Sequence, residues 1–347
     1  MLEVASELCT VTLPLNRALW AAILVTEVGK DQAALIVVFH HVLADGAAGL
    51  TLLSALMDGA PALTPLTLPR SKPSRAQLIA DARRDGVRAL RDLPAALTQM
   101  AKTLSQFTPA LRTRLASSSL NQPTGPRRRI ATVSSDLTLL HAAAQRHGAT
   151  VNDALLSAAT GALRRLLAGR GERADSFVIS MPVSFRQDAA GEKLGNQSAV
   201  IPVRLPATGR PGERLRAVAR LTAAAKRTPP GASNALLRPV FQLLSRLGLY
   251  RHFIDHQRLI HTFVTNVREP AQPLSLGGCP VLDIVPLATA GGNITVSFAA
   301  LSYAGRLTVL ADPDTCPDLD DLQALLQAEL EALTGSEPNS SVQLTPS

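Results

Sequence analysis

The stretch His40-His41-Val42-Leu43-Ala44-Asp45-Gly46 stands directly behind an apolar run, residues 33–39. That run is short, continuous and rich in β-branched side chains, which predicts a buried strand. Apolar residues recur at helical spacing over 47–57, which predicts a helix. The histidines therefore lie where a strand ends and a helix begins, a place where a ring can be held rigidly and still reach a cavity. Because histidine titrates near neutrality, one interpretation is a general base. A pair of satisfied core histidines beside a turn is the other.

Position within the motif separates the expected roles of its side chains. Adjacent residues of a strand point to opposite faces, so one imidazole is expected to pack while the other reaches across the sheet end. Asp45 is placed to cap the helix or to pair with an arginine. Gly46 is placed to supply a backbone shape or a close approach that a Cβ would block. The other histidines are not at metal-ligand spacing, so no metal site is predicted.

The amino-acid composition limits the kinds of protein that this chain can be. The chain has 347 residues, of which 46% are hydrophobic, 18% charged and 3% aromatic, and this supports large aliphatic cores. The net charge of +8 suits an anionic partner. No basic stretch is interleaved with aromatic residues, so nucleic acid is not the predicted partner. The three cysteines, the lack of a signal-peptide pattern and the lack of a membrane-spanning apolar run predict a cytoplasmic protein, at most peripheral to a membrane.

The rest of the chain predicts mixed α and β structure. Apolar segments at 21–28 and 33–39 flank a polar turn, which predicts a β-hairpin. Residues 1–20 have no strong period, 76–115 predict a long helical region, and the polar stretch 117–129 is the predicted boundary between halves. Further helices are predicted at 137–147, 153–167, 213–226, 234–250 and from 318 to near Leu333, and strands at 177–182, 198–205, 262–267, 280–287, 294–301 and 307–311. Asp136 is the predicted cap of the first of these helices, and Thr150 or Asn152 of the second.

Motifs of several enzyme classes are missing from the sequence. It has neither the glycine-rich turn of a dinucleotide-binding fold nor the P-loop lysine motif. It also lacks the Gly-x-Ser-x-Gly element of serine hydrolases. Without an obvious nucleophile, a histidine base implies direct attack by a substrate hydroxyl or amine that the base deprotonates.

The histidine stretch matches the His-His-x-x-x-Asp-Gly signature of the chloramphenicol-acetyltransferase-like superfamily. Further stretches, in order along the chain, resemble the bacterial wax ester synthase/diacylglycerol acyltransferase family. They are Leu-Asn-Arg-Ala-Leu-Trp at 15–20, Val-Asn-Asp-Ala at 151–154, Pro-Val-Ser-Phe-Arg at 182–186, Gly-Asn-Gln at 195–197, Thr-Asn-Val-Arg-Glu-Pro at 265–270, and Ser302-Tyr303 with Gly305, Asp312 and Pro317-Asp318. The series spans almost the whole chain.

The resemblance implies an α+β fold, a two-lobed chloramphenicol-acetyltransferase-like sandwich with mixed sheets and a tunnel at the lobe interface. It implies an N-terminal lobe over residues 1–120 and a C-terminal lobe over 121–335; residues 336–347 are polar and are expected to form a disordered tail. Family members carry a further segment before the Arg-x-x-Trp element, so the first lobe is expected to be shortened. The sequence departs from the family pattern at Asn16, Ala18 and Arg268-Glu269.

The resemblance also implies roles for individual residues. His41 would be the catalytic base at the centre of the tunnel, and His40 would mainly pack. Asp45 and Gly46 would shape the loop. Candidates for lining the tunnel or contacting a carbonyl are Asn152, Asn266 and Trp20. The local pattern leaves a helix cap, a turn amide and an ordinary core position open for these three.

The implied activity is an O-acyltransferase that moves a fatty acyl group from acyl-CoA to diacylglycerol or a long-chain alcohol. Acyl-CoA would be the co-substrate and no other cofactor is expected. Peripheral association with the inner membrane surface or with lipid droplets is expected, because a basic surface approaches anionic lipid. Two alternatives stay open: a non-catalytic remnant that binds acyl-CoA or lipid, and a condensing acyltransferase that takes its acyl group from a carrier protein.

Overall fold

A computed structural model describes residues 1–14, 16–44, 46–60, 73–88, 91, 94, 118–125, 127–184, 198–227, 241, 244–267, 273–287, 291–303, 306–311 and 316–335. The helices within these ranges are α1 (Leu2–Thr10), α2 (Gly46–Ser54), α3 (Leu137–Arg146), α4 (Val151–Gly169), α5 (Pro211–Arg227), α6 (Tyr250–Asp255) and α7 (Leu319–Thr334), and residues 75–88 are also helical. The strands are β1 (Trp20–Gly29), β2 (Gln32–Phe39), β3 (Ala131–Asp136), β4 (Ser176–Ser184), β5 (Ser198–Pro206), β6 (Thr262–Val267), β7 (Ser275–Leu276), β8 (Cys279–Pro280), β9 (Phe298–Tyr303) and β10 (Arg306–Ala311).

A mixed six-stranded sheet forms the centre of the second half, in the order β3-β10-β9-β6-β4-β5. The β9–β6 and β6–β4 pairs are parallel, and the other pairs are antiparallel. β5 contains Pro202 and Pro206, which lack the N–H that a central strand would need, and it lies at the edge of the sheet where that loss is tolerated. The α+β class with mixed sheets, predicted from the sequence, is confirmed.

α4 is the central helix of the core. Its side chains are apolar or small around most of the helix, so the sheet, α5 and α7 all pack against it. The Thr150 hydroxyl accepts the Asp153 backbone N–H at 3.2 Å, and the Asp153 carboxylate accepts the Thr150 backbone N–H at 2.9 Å. This capping box fixes where α4 starts and shows that Thr150, rather than Asn152, is the cap.

The predicted hairpin in the first half is confirmed. β1 and β2 pair from Trp20 opposite Phe39 to Val25 opposite Ala34. The pairing shifts between Val25 and Gly29, where Glu27 has a φ of 60°. α2 follows β2 as predicted, so the histidine stretch lies at a strand-to-helix junction.

One helix was not predicted, and one predicted strand is wrong. Residues 2–10 form α1, which is short and buries only Ala5 and Ser6, so it leaves little periodic signal. The strand predicted at 280–287 reduces to the two-residue β8, and residues 281–287 have no regular structure. Pro280 and Pro286 bound this segment and cannot donate to a sheet ladder.

The six-stranded sheet lies within residues 121–335, and the β1–β2 hairpin with α1 and α2 lies within 1–120. The exact division at residue 120 stays a prediction. The disordered tail predicted at 336–347 lies outside the described residues. In the part of the chain that the structure describes, no helix is both long and apolar enough to cross a bilayer.

Candidate functional site

The histidine loop, residues 40–44, is held at the end of the β1–β2 hairpin. The His40 backbone N–H donates to the Leu19 carbonyl at 2.8 Å, which extends the hairpin by one residue. The Leu43 N–H then donates to the His40 carbonyl at 2.9 Å and closes a turn. The backbone of the loop is therefore fixed while both imidazole rings are exposed.

The His41 ring is oriented by the backbone of its own loop. Its Nδ1 lies 2.8 Å from the Ala44 carbonyl oxygen. Because a carbonyl can only accept, Nδ1 is the donor in this contact, and in the neutral imidazole Nε2 is then the nitrogen with the lone pair. Such an Nε2, on an exposed residue whose ring cannot turn without losing a hydrogen bond, is suited to accept a proton from a substrate.

The His40 ring has the opposite arrangement. Its Nδ1 accepts the Val42 backbone N–H at 3.2 Å, so its lone pair there is used inside the turn. The ring is exposed, which corrects the expectation that His40 mainly packs. Strand alternation ends at Phe39, and the turn that follows no longer sends neighbouring side chains to opposite faces.

Gly46 makes a close approach to the second half of the chain. A Cβ at position 46 would lie 2.9 Å from Cγ2 of Val267, at the end of β6. The first residue of α2 thus rests against the central sheet, and a larger residue there would push the histidine loop away. This supports the close-approach expectation for Gly46. Asp45 lies outside the described residues.

Asn266 is half-buried and lies opposite Ala300 of β9. Since strand residues alternate, Asn266 points to the face opposite that of Val267, which contacts α2. The residue of β6 that the structure places against the start of α2 is therefore Val267. The alternation along β6 could be predicted from the sequence. Choosing Val267 over Asn266 also requires knowing which face of β6 is covered by α2.

The two other candidates lie on separate elements. Asn152 is the second residue of α4 and is half-buried. Trp20 begins β1 opposite Phe39 and is 57% exposed. Their roles as lining residues, and the tunnel itself, stay predictions. Among the described residues, no group of three or more histidine, cysteine or acidic side chains is placed to hold a metal ion.

Three groups with large pKa shifts, His261, Asp318 and Cys316, lie outside the histidine loop. Burial, together with the charge of Arg204, lowers the pKa of His261 to about 4. Its Nδ1 accepts the Val178 backbone N–H at 2.9 Å. The hydrogen bond from Arg170 lowers the pKa of Asp318 to about 2, and burial raises the pKa of Cys316 to about 12. Arg170, Asp318 and Cys316 join the end of α4 to the start of α7.

Comparison with known proteins gives a consistent result. The profile of the wax ester synthase/diacylglycerol acyltransferase catalytic domain matches residues 1–155, and that of the corresponding C-terminal domain matches 194–334. A Mycobacterium tuberculosis protein named as a probable diacylglycerol O-acyltransferase is 30% identical over 345 residues, covering 93% of this chain and 73% of that protein. A Mycobacterium bovis relative matches to the same extent.

Solved structures agree on the fold. A wax ester synthase/diacylglycerol acyltransferase from Marinobacter aquaeolei has a TM-score of 0.64 at 21% identity, covering 96% of this chain and 76% of that one. The first condensation domain of the CDA synthetase has a TM-score of 0.55 at 19% identity, covering 96% and 72%. The chain therefore shares its fold with a wax ester synthase/diacylglycerol acyltransferase and with a condensation domain.

Proposed function

The chain belongs to the wax ester synthase/diacylglycerol acyltransferase family and is an acyltransferase, and we propose that His41 is the general base of its reaction. The acceptor is diacylglycerol or a long-chain alcohol, and the donor is a fatty acyl-CoA. The observation that carries the proposal is the contact between His41 Nδ1 and the Ala44 carbonyl, which makes Nε2 the proton-accepting nitrogen of the neutral ring on an exposed residue.

The proposed acyl transfer uses the neutral His41 imidazole, in the tautomer with its proton on Nδ1. Nε2 of His41 takes the proton from the hydroxyl group of the alcohol substrate, while the oxygen of that hydroxyl attacks the thioester carbonyl. The tetrahedral intermediate collapses, the new ester forms and the C–S bond breaks. The imidazolium then returns the proton to the departing CoA thiolate. No cofactor besides the acyl-CoA co-substrate and no metal is needed for this sequence of steps.

Two features of the surface support peripheral association with lipid. Trp20 and Leu24 share one face of β1 and are 57% and 64% exposed, and Val42 in the histidine loop is 63% exposed. The chain also carries a net charge of +8. Co-sedimentation with phosphatidylglycerol vesicles but not with phosphatidylcholine vesicles is expected. Equal recovery of the protein in both supernatants would exclude this association.

The test of the base compares His41→Ala with His256→Ala. His256 is a suitable control because it is exposed and its Nδ1 also lies 2.9 Å from a backbone carbonyl, that of His252. Release of CoA from a long-chain acyl-CoA is measured with diacylglycerol or hexadecanol as acceptor. We expect His41→Ala to lower kcat by about 10²–10⁴-fold and His256→Ala to leave it unchanged.

The same assay separates the alternatives. Binding of acyl-CoA by the wild type without turnover would indicate a non-catalytic remnant. Turnover only with an acylated carrier protein would indicate a condensing acyltransferase. Full turnover by His41→Ala would show that another group is the base.

A further inference from the structure

α2, which follows the histidine loop, is held by contacts at its start, at its middle and just beyond its end. Its first residue, Gly46, approaches Val267 of β6. A Cβ at Gly49 would overlap the Phe39 ring, so the middle of the helix is packed tightly on the end of β2. Asp58, four residues beyond the end of α2, contacts the β7–β8 hairpin. Two of the three contacts come from the second half of the chain.

The Asp58 contact includes three hydrogen bonds with the backbone of the hairpin. The Asp58 backbone N–H donates to the Ser275 carbonyl at 2.8 Å. Its carboxylate oxygens accept the Gly277 N–H at 2.9 Å and the Gly278 N–H at 2.8 Å, one each. Both glycines have positive φ, 59° and 78°, so the turn presents two consecutive N–H groups to one anion. The hydrogen bonds from Gly278 and Gly277 lower the pKa of Asp58, because they favour the ionised carboxylate.

The hairpin is in turn fixed to the central sheet. Tyr303 is the last residue of β9 and is 2% exposed. Its hydroxyl accepts the Leu274 N–H at 2.8 Å and donates to the Val281 carbonyl at 3.1 Å, so both ends of the hairpin are held. β9 pairs with β6, whose Val267 touches the other end of α2. Both ends of α2 are thus positioned by neighbouring strands of one sheet.

We propose that Asp58 is a positioning residue for catalysis. Together with the Gly277-Gly278 turn, Asp58 forms an inter-lobe clip. This clip fixes the position of α2, and therefore of His41, relative to the end of β6. This inference rests on the proposed function, in which His41 is the base. A displacement of about 1 Å at a reacting group lowers turnover by up to about 100-fold, so loss of the clip acts on kcat.

The experiment compares Asp58→Ala, Asp58→Asn and Ser6→Ala. Ser6 is the matched control, because its hydroxyl donates to the Arg128 carbonyl at 2.6 Å and so also joins the two halves, but from α1. For each variant, kcat and KM are measured with acyl-CoA and diacylglycerol. Amide exchange is followed by mass spectrometry over residues 40–58 and 273–281.

We expect Asp58→Ala to lower kcat about 10- to 100-fold with KM changed less than about threefold. Exchange should rise at the Gly277-Gly278 turn and also in residues 40–44. The Asp58→Asn variant should fall in between, because its side-chain amide oxygen can still accept one N–H. Ser6→Ala should match the wild type in both readouts.

Faster exchange in Asp58→Ala at the hairpin alone, with kcat within twofold of the wild type, would overturn the proposal. So would an equal loss of kcat in Ser6→Ala, since any link between the halves would then suffice. If the wild type has no acyltransferase activity, the proposed function fails, while exchange in residues 40–44 still decides whether Asp58 positions the loop.

Discussion

Replacement of Glu329 by glutamine tests the most deeply buried ion pair of the described structure. The Glu329 carboxylate on α7 accepts a hydrogen bond from the Arg214 guanidinium on α5, and the two side chains are 8% and 4% exposed. Arg214 also donates to the Ser157 carbonyl at 3.0 Å and to the Gly209 carbonyl at 3.3 Å. A Cβ on Gly161 would come within 2.5 Å of both charged groups, so little space remains for water.

The expected magnitude follows from this geometry. Removing one charge of a buried pair costs about 3–5 kcal/mol, because the other charge stays buried without its partner. Since two carbonyls still accept from Arg214, we expect Glu329→Gln to cost about 3 kcal/mol, a roughly 100-fold shift in the folding equilibrium. The control is Glu331→Gln on the same helix, a half-buried residue whose carboxylate accepts a hydrogen bond from Gln327. A change within about 0.5 kcal/mol is expected there.

Urea unfolding at pH 7, followed by far-UV circular dichroism, measures the free energy of unfolding. Fluorescence of Trp20, the one tryptophan of the chain, follows the β1–β2 hairpin separately. The double variant Arg214→Met with Glu329→Leu should recover most of the loss, since apolar side chains of similar size can replace a buried pair. A Glu329→Gln variant as stable as Glu331→Gln would refute the reasoning.

Two further outcomes are expected. As the pH falls from 6.5 to 4, the unfolded chain binds a proton at His261 while the folded chain does not, so the free energy of unfolding should fall by up to about 3 kcal/mol. The His261→Asn variant keeps a side-chain amide oxygen that can accept the Val178 N–H. Its free energy of unfolding, measured in urea at pH 7, 5.5 and 4.5, should therefore depend less on pH than that of the wild type. An identical slope in both proteins would contradict this. Gly46→Ala should lower kcat about tenfold by displacing α2 from Val267, and adding Val267→Ala should restore part of it. No gain in the double variant would mean that the contact does not position the loop.

Several elements of the fold could be predicted because their signals are local. The apolar run before His40 and the polar turn ahead of it sufficed for the β1–β2 hairpin. The Asp136 side chain accepts the Leu139 N–H at 3.0 Å, as its place before a helical pattern predicted. α1 was not predicted because its local signal is weak, and the strand predicted over the apolar segment 280–287 was wrong.

Less of the candidate site than of the fold could be predicted from the sequence. The motif identified His41 through resemblance, but the free Nε2 depends on where the turn places the Ala44 carbonyl. The sequence singled out Asn266, whereas the residue against α2 is Val267, because only the packing of α2 shows which face of β6 it covers. Asp58 carried no motif at all.

By itself, the sequence determined the family, the α+β class and the strand-to-helix junction that carries the histidines. Repeating polar and apolar positions and an ordered set of short motifs are enough for this, since both are properties of neighbouring residues. The tertiary structure alone decided which groups meet: Asp58 reaches Gly277 and Gly278 across 219 and 220 residues, and Arg214 reaches Glu329 across 115. Such contacts depend on how whole elements are placed against one another, which no local periodicity records.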